Sequence, residues 1–278
     1  MQYLINGILL GGIYALLGVG MTMMFGIVKL TNLAHGEFII MGAFASTMLA
    51  QWLGVDPIVT LIITVPLMFF IGVLLQTVLI NRVMLQGSEP ALLVTFGLSI
   101  IIQDALLLLF TADAQRANVA YNTATIPLFG NLYLPVLDLI VFAISLLTIL
   151  VLTIFLRKTY MGRAIRATSD DTTAATLMGV SVKKTYAIAM GIAMATAAVA
   201  GLGVGMRWTF YPSSGGSYLL IAFGVVVIGG MGSIPGTLVA GLVLGLAQVI
   251  GGANYGQLIS YILLIIMLAV RPQGLFSK

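Results

Sequence analysis

Long apolar runs follow one another along this chain with few charges between them, and many approach the roughly 20 residues that span a bilayer. Only 7% of the 278 residues are charged and 60% are hydrophobic. A soluble domain carries about 25% charged residues, so an ordinary soluble globular domain is excluded. Most of the chain must contact lipid or other membrane helices, which predicts an integral membrane protein.

The runs are helical rather than β-barrel strands, because they are longer and more uniformly apolar than the alternating segments of about 10 residues in barrels. The 32 scattered glycines suit helices whose backbones approach closely. We predict one all-α polytopic membrane domain over residues 1–278 with about eight or nine transmembrane helices. Gly36–Leu53 and Tyr218–Gly251 are short or glycine-broken, which predicts broken or re-entrant helices there. The predicted spans are Tyr3–Ile27, Gly36–Leu53, Pro57–Ile80, Ala91–Phe110, Leu134–Leu156, Thr185–Met206, Tyr218–Gly230, Gly236–Gly251 and Gly256–Val270.

The basic residues predict the orientation. Six of the twelve crowd into residues 157–184, and the positive-inside rule makes this segment a cytoplasmic loop. Tracing the spans outward from it puts the N-terminus outside and the C-terminus in the cytoplasm. The net charge of +4 therefore reflects membrane orientation and does not indicate nucleic-acid binding. The same trace places Lys29, Arg82, Arg271 and Lys278 on the cytoplasmic side and only Arg116 and Arg207 outside.

The sequence offers little for catalysis. It has no cysteine and a single histidine, and it lacks an H-E-x-x-H motif. The glycine-rich "VIGGMGSIPG" (Val227–Gly236) has no lysine, so it is not a Walker A loop and is interpreted as a tight connection between two helices. We therefore expect no catalytic residue, metal site or cofactor in this chain.

The cytoplasmic segment predicts a short helix. Two aspartates followed by two threonines are typical of a helix start, and a glycine at position 179 is typical of a helix end. Such a helix, over Thr172–Met178, would present small side chains and suits docking into a groove of another protein. An ordinary solvated loop is the alternative. The candidate docking residues are Arg163, Arg166, Asp170, Asp171, Ala174, Ala175 and Gly179.

The stretch "NLAHGEF" (32–38) carries the only histidine, between two apolar runs. Ionisable residues at membrane depth usually face a cavity or a partner, so Asn32, His35 and Glu37 could form a polar constriction in a solute pathway. The alternative is a satisfied network that closes a helix break near the cytoplasmic surface, close to Lys29. In that case Gly36 permits the break and Asn32 caps the second helix.

Two further groups are candidates for a pathway. Gln103 and Asp104 lie inside a long apolar run, where a buried aspartate needs a partner; Asn81, Arg82, Arg116 or a hydroxyl could provide one. Packing or solute contact would both explain the two residues. Tyr211, Ser213 and Ser214, in "FYPSSGGSY", fall on the outer side. They could form an outer gate, a contact for an external binding protein or an ordinary glycine-rich turn.

The pattern of an apolar helix, a polar break and a short glycine-bearing helix occurs around Asn32–Glu37 and again around Tyr211–Gly230. Broken helices in inverted repeats are common in transporters. An inverted repeat is therefore predicted.

Several motifs together resemble one family. "GGIYALLGVGMTMMFGIVKLTNLAHGEFIIMGAF" (Gly11–Phe44), "GVVVIGGMGSIPG" (Gly224–Gly236) and "RPQGLF" (Arg271–Phe276) strongly resemble the permeases of branched-chain amino acid ABC importers. "DTTAATLMGVS" (Asp171–Ser181) is similar to the coupling helix of ABC importer permeases, with aspartate and threonines in place of the glutamate of "EAA".

The resemblance implies a larger working unit in a bacterial or archaeal cytoplasmic membrane. A second permease subunit, identical or not, would pair with this chain, two cytoplasmic ATPases would bind ATP and Mg²⁺, and an external binding protein would deliver the solute. The solute would be a branched-chain amino acid or a related small amide or urea. Two alternatives are a sugar or nucleoside importer, and an ion-coupled carrier that uses Glu37 and Asp104.

Overall fold

A computed structural model describes residues 1–84, 87–127, 132–271 and 274–276. The predicted all-α polytopic fold is confirmed, with one small two-stranded ribbon added. Lys278 and part of "RPQGLF", residues 272 and 273, lie outside the described residues. The helices are α1 (Gln2–Val28), α2 (His35–Leu53), α3 (Leu61–Leu75), α4 (Asn81–Val83), α5 (Ser88–Phe110), α6 (Val136–Lys158), α7 (Tyr160–Asp170), α8 (Thr172–Leu177), α9 (Val182–Arg207), α10 (Gly215–Gly229) and α11 (Ile234–Val270), with strands β1 (Thr125–Pro127) and β2 (Tyr133–Pro135).

Helix α1 lies at the centre of the bundle. It packs against α6, α9, α10 and α11, and 89% of the residues in its most apolar stretch are buried. Glycines permit this packing: a Cβ at Gly11 would collide with the backbone of α11, and one at Gly241 would collide with Ala15. Small residues at helix contacts let membrane helices approach closely, as the composition predicted.

The bundle has two chemically different ends. At the basic end, defined by residues 157–184, Ser169 hydrogen-bonds the carbonyl of Gly26 in α1, and Asn81 donates to the carbonyl of Lys183. Leu275 bonds the carbonyl of Ile228, so the residues after α11 lie at this end as well. Lys29, Arg82 and Arg271 therefore lie at the same end of the bundle as residues 157–184, as the trace of spans predicts; which side of the membrane this end faces stays a prediction.

At the opposite, ribbon end, β1 pairs antiparallel with β2. The loop before β1 is tied down by Tyr121, whose hydroxyl donates to a carboxylate oxygen of Asp56 at 3.2 Å. Burial, together with the Asp56 carboxylate, raises the pKa of Tyr121 to about 12. The phenol thus stays protonated at neutral pH and keeps donating this hydrogen bond.

Several spans depart from simple crossings. Seven helices among the described residues are long and apolar enough to cross a membrane, and Asn254–Val270 is a shorter apolar helix. Gly252 has a positive φ of 67° inside α11 and separates that helix into two, close to the predicted boundary between Gly251 and Gly256. A π-helical turn, Gln76–Ile80, continues α3 into α4. Pro235 stands in the first turn of α11, where proline is tolerated.

An ion pair joins α6 and α9 near the ribbon end. Arg207 donates to the Asp138 carboxylate, and their side chains are only 21% and 12% exposed. The guanidinium also lies 5.2 Å from the centre of the Trp208 ring, within the range of a cation–π contact. This pair fixes the ribbon-end termini of two transmembrane helices against each other.

Replacing Arg207 with alanine is expected to lower the free energy of unfolding by about 3 kcal/mol, because it leaves the mostly buried Asp138 unpaired. Thermal unfolding of the purified protein in detergent measures the change. The matched control is the double variant Arg207→Met/Asp138→Leu, which removes both charges and is expected to recover most of the loss. Equal destabilisation by the single and double variants would contradict this account.

Candidate functional site: polar groups along the bundle

His35 lies deep inside the bundle. It is completely buried, and its Nε2 donates to the carbonyl oxygen of Leu17 at 3.1 Å. A Cβ at Gly20 would collide with the imidazole and with Thr196. Leu17 and Gly20 lie near the middle of α1, and Thr196 near the middle of α9. The predicted position near the cytoplasmic surface is therefore wrong, because the chain re-enters the bundle between Lys29 and Ala34 before α2 begins.

The break before α2 is made by other residues than predicted. Lys29 takes a left-handed conformation, with φ 53°, at the end of α1. The side-chain oxygen of Asn32 accepts a hydrogen bond from the N–H of Ala34 at 3.0 Å. This contact forms an Asx turn before α2 and not the predicted helix cap. Gly36 is helical, so it does not provide the break.

Gly36 instead lets two helix starts meet. A Cβ at this position would collide with the carbonyl oxygen of Gly215, the first residue of α10. A Cβ at Gly215 would in turn collide with the carboxylate of Glu37. Both glycines are required by this close approach. The two segments of the predicted repeat, 32–37 and 211–230, thus contact each other inside the bundle.

Glu37 is nearly buried in the first turn of α2 and lies against the start of α10. Negative charge is favourable beside the N-terminus of a helix. Oε2 of Glu37 and Nδ1 of His35 are buried without a hydrogen-bond partner among the described residues. Each therefore retains an acceptor that a polar group could satisfy.

A cavity of about 340 Å³, here called the ribbon cavity, lies between α1, α10 and α11. The predicted gate residues Tyr211 and Ser214 line it, whereas Ser213 is exposed and outside it. Its other walls combine hydroxyl and amide groups with aliphatic side chains. They include Tyr14, Trp208, Ser217, Tyr218, Leu220, Ile221, Leu244, Gln248, Gln257, Tyr261 and Leu264.

A second cavity, here called the arginine cavity, opens at the basic end and encloses about 970 Å³. Arg157, Arg163 and Arg166 line it together with Asp170. The opposite wall comes from α1 and from the connection between α10 and α11. Three of the predicted docking residues, Arg163, Arg166 and Asp170, therefore line this cavity. They belong to α7 and not to the short helix that follows it.

That short helix, α8, forms as predicted. Asp171 accepts hydrogen bonds from the N–H groups of Thr173 at 2.7 Å and Ala174 at 3.0 Å, and Gly179 has a positive φ of 83°. Ala175 is buried against the bundle. On the other side Leu177 and Met178 are 83% and 84% exposed, which makes the end of α8 an apolar projection from a charged segment.

Replacing Asp171 with alanine is expected to destabilise α8 by about 1 kcal/mol, because two N–H groups lose their acceptor. Amide hydrogen exchange of residues 172–178 measures the effect and should become several-fold faster. Asp171→Asn keeps the acceptor and serves as the control. Unchanged protection in the alanine variant would show that packing of Ala175 alone holds the helix.

Gln103 and Asp104 lie apart from the other candidates. The expectation that Asp104 is buried beside Asn81, Arg82 or Arg116 is wrong. Its side chain is exposed on α5, Asn81 bonds Gln76 and the carbonyl of Lys183, and Arg116 donates to Asn122. Gln103 is half-buried. Helix α5 packs loosely against the rest of this chain, so much of its length is free.

The family model described as "Branched-chain amino acid transport system / permease component" matches residues 3–269. The chain belongs to this family. It is 30% identical to the "High-affinity branched-chain amino acid transport system permease protein BraD" of Pseudomonas aeruginosa, covering 100% of this chain and 96% of that protein. The LivH permease protein of Escherichia coli is 30% identical with the same coverage, and the LivM permease protein of that organism is 27% identical over 95% of this chain and 67% of its own length.

Membership of the permease family agrees with the multi-pass helical fold and with the resemblance carried by the sequence motifs. Sequence reasoning missed some cavity residues of this family member. Tyr14 donates to Gln248, 234 positions away, and Arg157 completes the arginine cavity. Tyr14 lies within the motif Gly11–Phe44, but the motif does not indicate its partner, and Arg157 stands outside the quoted motifs. The packing of α1, α6 and α11 brings both residues to their sites.

Proposed function

We propose that this chain is the membrane permease subunit of an ATP-driven importer for branched-chain amino acids or related small amides, including urea. The full-length match to the branched-chain amino acid permease family carries the proposal. The chain is a transport subunit and not an enzyme. In this proposal ATP and Mg²⁺ bind to two partner ATPases.

The basic end is the cytoplasmic end in this proposal, since positive charge concentrates on that side of membrane proteins. The N-terminus then faces outward and the C-terminus inward, in a bacterial or archaeal cytoplasmic membrane. Helix α8 docks into the ATPase, with Leu177 and Met178 as the apolar contact. Closure of the ATPases displaces α8, and α7 passes this movement to α1 through the bond between Ser169 and Gly26.

The external binding protein delivers solute at the ribbon end. The ribbon cavity suits a small zwitterion with an aliphatic side chain, because hydroxyl and amide groups line it together with leucine and isoleucine side chains. Tyr211 and Ser214 act as its gate. Glu37 lies at the contact of α2 with α10, whereas His35 faces α1 and α9, and solute reaches either side chain only if these contacts open.

A second permease subunit, a copy of this chain or a homologue, covers α5. An exposed carboxylate at membrane depth is unfavourable in lipid and usually faces protein or water. Asp104 meets this description, so the partner or the shared pathway lies against this face, with Gln103 beside it. The presence of both LivH and LivM permease proteins in Escherichia coli supports a pair of different subunits.

The test is reconstitution of the complete complex in liposomes with its ATPases and binding protein. Leucine uptake is expected only with ATP on the ATPase side, and ribose should not compete. Uptake driven by an ion gradient without ATP would favour the ion-coupled carrier and overturn the proposal. The variant His35→Ala, assembled normally and with unchanged uptake, would remove His35 from the pathway.

A further inference from the structure

The arginine cavity has an unusual distribution of charge. Arg157 lies in the last turn of α6, and Arg163 and Arg166 lie one turn apart on α7, so three arginines line one opening. Asp170 is the single acidic side chain in the lining. In the described part of the chain, no carboxylate lies within ion-pair distance of any of these arginines. Among the described residues, the three arginines of this cavity therefore outnumber its one acidic side chain and form no ion pair.

The opposite wall is mainly apolar, although Thr22 and Ser233 also line it. Met23 and Ile27 come from the last turns of α1, and Met231 and Phe276 lie near the cavity with half of their surface exposed. A cavity with guanidinium groups on one wall and exposed hydrocarbon on the other matches an amphiphile. It does not match a small inorganic ion alone.

Helix α7 has the form of an interfacial helix. Gly162, Ala164 and Ile165 are buried on one side, while Arg163 and Arg166 are exposed on the other. It packs across the ends of α1, α6 and α9. Helices with this division lie in the plane of the headgroups, and their basic face attracts anionic lipids.

We propose that the arginine cavity binds the phosphodiester headgroup of an anionic phospholipid. Guanidinium groups bind phosphate through paired hydrogen bonds, and basic pockets between transmembrane helices are known to accept such headgroups. The volume of about 970 Å³ exceeds the needs of free phosphate and leaves room for the glycerol and the first methylene groups along Met231 and Phe276. That the lipid belongs to the cytoplasmic leaflet rests on the proposed orientation, but binding itself does not.

The bound lipid would connect α7 to the neighbouring helices, close to α8. It would hold α7 against the connection between α10 and α11, next to the carbonyl that Ser169 contacts on α1. None of the cavity residues belongs to α8, so lipid binding and ATPase docking use different surfaces of the same segment.

The experiment compares lipid retention in the intact complex. The complex is placed in nanodiscs of phosphatidylcholine with a minor fraction of phosphatidylglycerol, released into detergent, and analysed by native mass spectrometry. The wild type is expected to retain phosphatidylglycerol selectively. The variant Arg163→Gln/Arg166→Gln should bind it about thirtyfold more weakly, as the loss of two basic contacts implies.

The matched control is Lys183→Gln/Lys184→Gln, which removes the same charge from the same segment outside the cavity. It is expected to retain the lipid as the wild type does. Equal loss in both variants would show a diffuse attraction to the membrane surface and overturn the site. Displacement of the lipid by excess inorganic phosphate alone would make this a free-phosphate site and also overturn the proposal.

Two further readouts separate the remaining outcomes. Loss of the ATPase subunits from the arginine variant, with lipid retained, would assign the arginines to the ATPase interface and reject the lipid. If the double variant fails to fold, a photoactivatable phosphatidylglycerol tests the wild type directly. It should label peptides containing Met231 or Phe276, and labelling elsewhere only would overturn the proposal. Because no readout measures transport, failure here leaves the proposed import function untouched.

Discussion

The double variant Leu177→Asp/Met178→Asp is expected to abolish solute-stimulated ATP hydrolysis and uptake while leaving the permease folded. Both side chains are more than four-fifths exposed at the end of α8, so their replacement removes no packing within this chain. Full burial of each in an ATPase groove would contribute about 1.5–3 kcal/mol. Loss of both contacts, with two new charges, should weaken docking by at least about a hundredfold, at 1.4 kcal/mol per factor of ten.

Co-purification of the ATPases and solute-stimulated hydrolysis measure this effect. Thr173→Asp is the control, because it adds negative charge to the same helix near its N-terminus, where charge of that sign is tolerated, and removes no large apolar side chain. It is expected to keep most of the coupling. A double variant that still retains and stimulates the ATPases would mean that α8 is not the docking element.

The variant Gly36→Ala is expected to lose most folded protein. The new Cβ would collide with the carbonyl of Gly215 and press on Leu219, so the starts of α2 and α10 must separate. Overpacking of this kind typically costs 1–3 kcal/mol in a core, and more where backbone is struck. The loss is a large share of the 5–15 kcal/mol that stabilises a typical protein.

Yield after detergent extraction and the thermal midpoint measure the loss. Gly97→Ala on α5 is the matched control, because a Cβ there meets open space and alanine favours a helix by about 1 kcal/mol over glycine. It should fold as well as the wild type or better. A Gly36→Ala protein with an unchanged midpoint would show that the contact between α2 and α10 is not rigid.

Local signals explain what the sequence predicted well. Most spans are long uniform apolar runs, and α8 is bounded by Asp171 and Gly179, whose cap and positive φ depend on neighbouring residues alone. How deep a residue lies in the bundle, and which side of its helix faces other helices, cannot be predicted in this way. Both depend on which helices pack together. His35 follows a span closely in sequence, yet the chain re-enters the bundle to bring it beside Leu17. Asp104 looks buried in sequence because its neighbours are apolar, whereas α5 presents it on the surface.

The central position of α1 has a consequence for biogenesis. This helix is synthesised before α9, α10 and α11, which later enclose it. Until those helices leave the ribosome and enter the membrane, the faces of α1 that they will cover must be surrounded by lipid or by the insertion machinery. Its mean hydropathy of 2.0 permits that interim state, and its glycines keep the surface smooth enough for lipid to be displaced afterwards. A single early helix thus has two successive solvents, first hydrocarbon and then protein.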